Sequence, residues 1–243
     1  MKTWRYILLL TMATWLAGAG KMLAQDETVY RLELGIGGGM NFMLSDANSA
    51  FYGDSKLAAG LVARFPLNPR MAVKTALTYG QIGGNTENVE NFYPANPNGT
   101  GSERLKHQFS GGLFDLSALY ELHFLPYGYE QGYQGYSRIV PYIQAGFGLT
   151  YSSAGKAFTP NFPVGVGLKY KVARRLNLGL EWRKHFTFSD KLDNLEAPHG
   201  IKSSGMRNKD HFSVTMLTLT YDLAPKCPTC NKDLGQAPLA PHR

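Results

Sequence analysis

The stretch Phe114-Asp115-Leu116-Ser117-Ala118-Leu119-Tyr120-Glu121-Leu122-His123-Phe124 decides the fold. Its even-numbered residues are all apolar or aromatic. Its odd-numbered residues, Leu119 apart, are polar or charged. Successive side chains of a strand point to opposite faces, so a period of two describes a strand with one apolar and one polar face. A helix needs apolar residues at i, i+3 and i+4, which fits this window less well.

The same alternation recurs along the chain. Tyr30, Leu32, Leu34, Ile36, Met40 and Phe42 oppose Arg31, Glu33, Asn41 and three glycines. Leu57 to Phe65 opposes Lys56, Gly60 and Arg64. Met71, Val73, Leu77 and Tyr79 oppose Lys74, Thr78 and Gly80. Ile143 to Tyr151, Val164 to Val172, Leu176 to Trp182 and, less regularly, Phe212 to Leu223 complete the set. Eight strands result. That even number suits a closed antiparallel bacterial barrel and puts both ends of the barrel domain on one side.

Two barrels fit such strands. A lipocalin-like barrel in water would turn its apolar face inward. A transmembrane barrel turns it outward, with aromatics near the strand ends, here Phe65, Tyr79, Phe124, Tyr151, Tyr170 and Trp182. Eight strands leave little interior room. The polar face here is rich in glycine and charge, so we expect it inside and the large side chains in lipid. Lys74, Asp115, Glu121, His123, Lys169, Lys171, Glu181 and Arg183 then share the lumen as a polar network. Buried charges must pair or stay hydrated. A salt-bridged plug is the expected outcome, with a conduction path as the alternative.

Loop lengths agree with this topology. The second connection, Pro66-Leu67-Asn68-Pro69, and the sixth, Ala173-Arg174-Arg175, are tight. The third, Ile82 to Gln108, and the seventh, Ser189 to Asp210, are long and polar. Short periplasmic turns and long outer loops are the usual asymmetry. The fourth, Leu125 to Arg138, breaks the rule and holds Tyr127, Tyr129, Tyr133 and Tyr136. Such tyrosines suit an interface or membrane surface; a disordered turn is the alternative.

The ends differ from the middle. Met1 to Arg5 is basic, Tyr6 to Leu16 is apolar, and small residues follow to Gln25, the layout of a secretory signal. Cleavage is expected near Ala24/Gln25, with Ala19 as the other site. An uncleaved anchor is disfavoured because the apolar run is shorter than the ~20 residues of a spanning helix. The domains read as residues 1–25 signal peptide, 26–224 barrel and 225–243 periplasmic tail. The outer membrane is the expected location, with the mature termini periplasmic.

Cys227-Pro228-Thr229-Cys230 holds the only cysteines. In a reducing compartment this spacing is half a zinc site or a redox pair. Export implies an oxidising one, where a local disulfide is expected. A zinc site would lack its second pair, and no thioredoxin-like βαβ pattern precedes the motif.

Composition and motifs exclude several functions. Formal net charge is +7, from 25 Lys and Arg against 18 Asp and Glu; Lys2, Arg5 and Lys21 leave with the signal. The remaining excess is mild and no basic run exceeds Arg174-Arg175, so nucleic acid is not expected as a partner. No His-Glu-x-x-His or Gly-x-Ser-x-Gly occurs. A lipid hydrolase needs Ser, His and a carboxylate on the lipid face, whereas His123 and His185 fall on the lumen face. Asp190, Asp193, Asn194 and Glu196 lack calcium-loop spacing. Gly35 to Gly39 lie in a strand and allow close backbone approach. We expect no enzyme activity, no cofactor and no metal.

Four stretches carry a family resemblance. Leu67-Asn68-Pro69-Arg70 leads to Ala72–Gly80, and Phe114–Glu121 leads to Phe124-Leu125-Pro126-Tyr127. Pro163–Lys171 leads to Arg175–Trp182. Phe186-Thr187-Phe188-Ser189-Asp190-Lys191-Leu192-Asp193-Asn194 follows, with Lys191 in place of a tyrosine and Asn194 in place of an aspartate. Together, over about residues 30 to 225, they resemble PorG-like outer-membrane barrels of the type IX secretion system of Bacteroidota. The resemblance implies a non-enzymatic barrel that ties a periplasmic ring of PorK- and PorN-type proteins to the outer membrane, with substrates crossing elsewhere. Partner contacts would then come from the periplasmic turns and tail: Asn68, Arg70, Tyr129, Tyr133, Tyr136, Arg174, Arg175 and Lys226. Lipid is the other expected partner. The alternative function is a stand-alone surface barrel for adhesion or envelope integrity.

One prediction concerns the cysteines. Protein isolated from envelopes without reductant should resist maleimide labelling at Cys227 and Cys230, and both should label after reduction. Equal labelling before and after would remove the disulfide.

Overall fold

The chain closes on itself by pairing its first strand with its last. The computed structural model describes residues 30–45, 47–48, 50–89, 96, 103–129, 135–195 and 209–225. Eight strands follow in order: β1 Tyr30–Leu44, β2 Lys56–Asn68, β3 Met71–Asn85, β4 Gln108–His123, β5 Ile139–Ser152, β6 Ala157–Lys171, β7 Leu176–Thr187 and β8 His211–Pro225. Each pairs antiparallel with its neighbour, and β1 pairs with β8 to make a closed barrel. Closure satisfies every edge, which a strand in hydrocarbon requires.

Burial follows the alternation. On β4 every second residue from Leu113 to His123 is buried, and the residues between are exposed. Exposed positions include Leu57, Leu61, Leu77, Leu116, Phe147, Val166, Leu180 and Leu219, while Arg64, Lys74, Asp115, Glu121, Glu181 and Arg183 are at most 2% exposed. Apolar outside and charged inside is the reverse of a soluble barrel and the distribution a bilayer selects. The lipocalin-like orientation is therefore excluded.

Aromatics collect in two belts. Phe65, Phe124, Tyr170 and Tyr221 lie toward the end bearing the short turns. Tyr79, Phe114, Tyr151 and Phe158 lie toward the other, the loop end; Tyr79 and Phe114 are cross-strand partners with ring centroids 4.6 Å apart. Phe158 and Tyr170 are twelve residues apart on β6. At ~3.3 Å per residue and a typical ~40° tilt that is roughly 30 Å, the depth of a bilayer core. Trp182 departs from the expected belt: it is half-buried, with Phe51 of the β1–β2 loop 6.3 Å away.

Turn chemistry fixes the ends. In the β2–β3 turn the Arg70 N–H donates to Asn68 Oδ1 at 2.8 Å, so Asn68 shapes its own turn. The third connection starts after Asn85 rather than at Ile82, because β3 and β4 continue their pairing through Asn85–Gln108. Periodicity hid this extension: beyond Gly80 the inward residues turn apolar, as Ile82 and Leu113 show. Pairing between β5 and β6 skips Gly146 and Phe147, opposite Phe162 and Pro163; Pro163 has no N–H to donate.

The β1 glycines mark a tight seam. A Cβ on Gly35 would lie 2.1 Å from the Leu219 carbonyl oxygen, and one on Gly39 2.0 Å from that of Thr215. Gly38 faces outward with nothing within 4 Å. Gly39→Val should therefore open the β1–β8 seam and cost at least ~1–3 kcal/mol, while Gly38→Val should be neutral. The urea midpoint of the barrel in detergent reads both, and equal midpoints would refute the seam.

Candidate functional site

Ion pairs cross the lumen in several directions. Lys74 on β3 donates to Glu181 on β7 at 2.6 Å and to Gln144 Oε1 on β5 at 2.5 Å. It also lies 3.1 Å from Glu121 on β4. Arg64 on β2 donates to both Glu121 oxygens, at 2.6 and 3.1 Å, and to Glu33 on β1. Lys169 on β6 reaches Glu33 at 2.5 Å, and Thr220 on β8 donates to the same carboxylate. The Tyr142 hydroxyl donates to Glu181 at 2.9 Å. Gly167 makes room for that ring, because a Cβ there would lie 2.3 Å from it.

β3 and β7 are diametrically opposite in an eight-stranded barrel. A direct Lys74–Glu181 contact therefore crosses the whole lumen at that level, beside the buried Arg64, Glu121 and Tyr142 side chains. A second layer nearer the loop end repeats the crossing, with Arg183 on β7 donating to Thr78 on β3 at 3.1 Å. Here Asp115 accepts from Ser117, from Thr150 at 2.8 Å and from Asn161 at 2.7 Å. His185 Nδ1 lies 3.5 Å from Asp115, with its ring stacked on Phe212. Ser117 thus donates to the carboxylate and not to a histidine, so these three residues are not arranged as a nucleophile and its base.

All eight network residues expected from the sequence line this lumen. Glu33, Arg64 and Asp222 belong with them: alternation had put Glu33 and Arg64 on polar faces, but charge on a face gives no hint of its partner. Among the buried strand residues five cations (Arg64, Lys74, Lys169, Lys171, Arg183) meet five carboxylates (Glu33, Asp115, Glu121, Glu181, Asp222). Among the described residues no group of three or more metal-ligating side chains gathers.

The loop end is closed by an apolar cap. Met43, Ala47, Ile82, Phe109, Leu113, Leu192, Phe212, Val214 and Met216 form one buried cluster. Leu192 comes from the seventh connection, expected to be a polar outer loop. Its N–H donates to Asp210 Oδ2 at 2.8 Å and its carbonyl accepts from Ser152 at 2.7 Å. His107 Nε2 lies 3.0 Å from the Asp193 carbonyl oxygen, tying in the third connection.

The turn end carries a recess of about 320 Å³. Its lining includes Arg64, Lys169, Lys171, His123 and Asp222 from the lumen, with Asn68, Tyr127, Tyr129, Tyr136 and Arg174 from the turns. Lys171 donates to Asp222, and Asn177 donates to it at 2.9 Å. Two backbone hydrogen bonds hold described residues of the fourth connection: Tyr127 N–H donates to Pro69 O at 2.9 Å, and Ser137 N–H to Pro126 O at 2.8 Å. Tyr127 reaches over the mouth to donate to Asn177 Oδ1 at 2.7 Å, under Lys169 at 4.3 Å from its ring. Burial, helped by Glu33 and Asp222, pushes its phenol well above the usual range. Of the expected contact residues, Arg70 is exposed in the β2–β3 turn. Arg175 lies with its guanidinium 5.6 Å from the Tyr30 ring. Tyr133, Lys226, Cys227 and Cys230 lie outside the described residues.

Comparison with known proteins gives a family. The family described as "Domain of unknown function (DUF6089)" matches residues 21–232. No curated protein sequence matches the chain. Among solved structures, Neisserial surface protein A is 12% identical, with 79% of this chain and 97% of that one covered and a TM-score of 0.47. Ail, the attachment invasion locus protein of Yersinia pestis, solved with sucrose octasulfate, is 11% identical over 81% and 100% at 0.45. OprG of Pseudomonas aeruginosa is 13% identical over 82% and 100% at 0.41.

The lumen network predicts a strong effect of one substitution. Lys74→Met leaves Glu121 and Glu181 short of a partner while both stay buried, a loss of ~3–5 kcal/mol. Adding Glu181→Gln should recover part of it. Urea unfolding in lipid vesicles measures both, and an unchanged midpoint for the single variant would show that the pair carries no stability.

Proposed function

The chain belongs to the DUF6089 family, and we propose that it is a non-enzymatic outer-membrane barrel that anchors a periplasmic ring of the PorK and PorN type in type IX secretion. The observation that carries this reading is the filled lumen. With β3 joined to β7 through Lys74 and Glu181, the barrel serves as an anchor and not as a conduit. The apolar cap of the loop end directs contact to the other end, where turns and a recess offer relief. Resemblance of the turn and strand stretches to PorG-like barrels supplies the partner. On this reading the turn end is periplasmic, which short turns favour.

Two measurements test it. Affinity purification of the full chain from detergent-solubilised outer membrane should recover the two ring proteins, and deletion of the gene should stop export of type IX cargo. Normal export in the deletion strain, with no ring protein recovered, would leave the second reading: a stand-alone surface barrel acting through its loop end.

A further inference from the structure

Among the described residues of the turn end, exposed charge is basic. The described residues of this end include five arginines, Arg31, Arg70, Arg138, Arg174 and Arg175, of which all but the half-buried Arg138 are exposed. Its described acids are Glu33, Glu121 and Asp222, all buried and all paired with cations of the lumen. No exposed carboxylate stands among the described residues of this rim. The loop end, by contrast, mixes signs, as the Lys56–Asp54 and Lys106–Glu87 pairs show.

The recess opens at the same end as this arginine collar. Arg174 lines it, and Tyr129 and Tyr136 wall it. Arg138 lies over the Tyr129 ring at 4.1 Å, a stack that holds a guanidinium in place with its edge free to donate. The buried His123 ring also lines the recess, with its Nε2 3.5 Å from Glu121. At about 320 Å³ the space suits a few side chains, near the lower size of ligand clefts.

We propose that this recess receives an extended acidic peptide segment of a periplasmic protein. Carboxylates sit on the arginine collar and the stems of those side chains lie against the tyrosine rings. The choice of a peptide over a lipid headgroup follows from where the recess opens. Its lining residues Arg64, Ala72, Lys169 and Lys171 point into the lumen, so the opening faces along the barrel axis toward water. Headgroups lie around the outer wall. The proposal rests on the reading of this end as the docking end and gives that docking a chemistry.

The test uses the full-length mature chain, folded in detergent micelles, and a fluorescein-labelled peptide of alternating Asp and Glu, with an Asn and Gln peptide as control. Anisotropy should show binding of the acidic peptide alone. Affinity should fall as salt rises and shortens the reach of the charges. The Arg70→Glu, Arg174→Glu pair alters exposed turns and should keep the heat-modifiable gel mobility of the folded barrel while losing at least ~10-fold in affinity. Tyr129→Ala should lose less, ~3-fold or more. Equal binding of the neutral peptide, or unchanged affinity in the arginine pair, overturns the proposal. Phosphatidylglycerol micelles displacing the peptide through the same arginines would make this a headgroup site and also overturn it. A large gain in affinity on Asp26→Asn, Glu27→Gln would mean that the chain's own acids fill the recess, with the same consequence. The two readings separate cleanly. Peptide binding without ring recovery sinks the ring anchor and keeps the acidic-peptide site; equal ring recovery by wild type and the arginine pair does the reverse.

Discussion

The Lys74–Glu181 pair spans the barrel's full width, and the structure depends on the constraint it expresses. A charge inside a lipid-embedded cylinder has no bulk water to return to, so each must meet its opposite within reach of a side chain. Seven of the eight strands contribute a charge to the balanced set. The exception, β5, contributes the neutral partners Tyr142, Gln144 and Thr150. Glycine on the inner face is the other half of this solution. Gly167 leaves the volume that Tyr142 fills, and the large polar side chains pack because their neighbours are small.

The two ends resolve their exposure differently. At the loop end the inner face becomes apolar and a loop residue, Leu192, completes the cap. Water is excluded there by packing. At the turn end the polar interior continues to the mouth, and Tyr127 only bridges it. A barrel shut by hydrocarbon at one end and by hydrogen bonds at the other is chemically polarised along its axis. At the second end polar groups meet water beside the tyrosines.

The strands and their faces were legible because alternation is a local property. Residues 114–124 state their two faces without reference to any other segment. Pairing is not local. Lys74 and Glu181 are 107 residues apart, and no property of either names the other. Depth is equally hidden: period two says that Phe212 points inward, not that it meets Leu192. The seventh connection looked like a polar outer loop because its composition is polar, and one buried leucine decides its position. Tyr127 stood among four tyrosines of one turn, and only the reach to Asn177 sets it apart. The arginine collar was visible as single turn residues; the barrel brings them to one rim.

Glu33 has a consequence for how the barrel is made. Its carboxylate accepts from Arg64 on the next strand, from Lys169 on β6 and from Thr220 on β8, the last 187 residues away in sequence. A nascent sheet still missing its final strands therefore holds this acid half-satisfied, beside an open edge. Contacts of such separation form late and slowly. Partly inserted forms are thus penalised twice, by unpaired backbone and by unmatched charge, and the last hairpin settles both together. Assembly of this barrel is close to all-or-none, with the first strand waiting on the eighth.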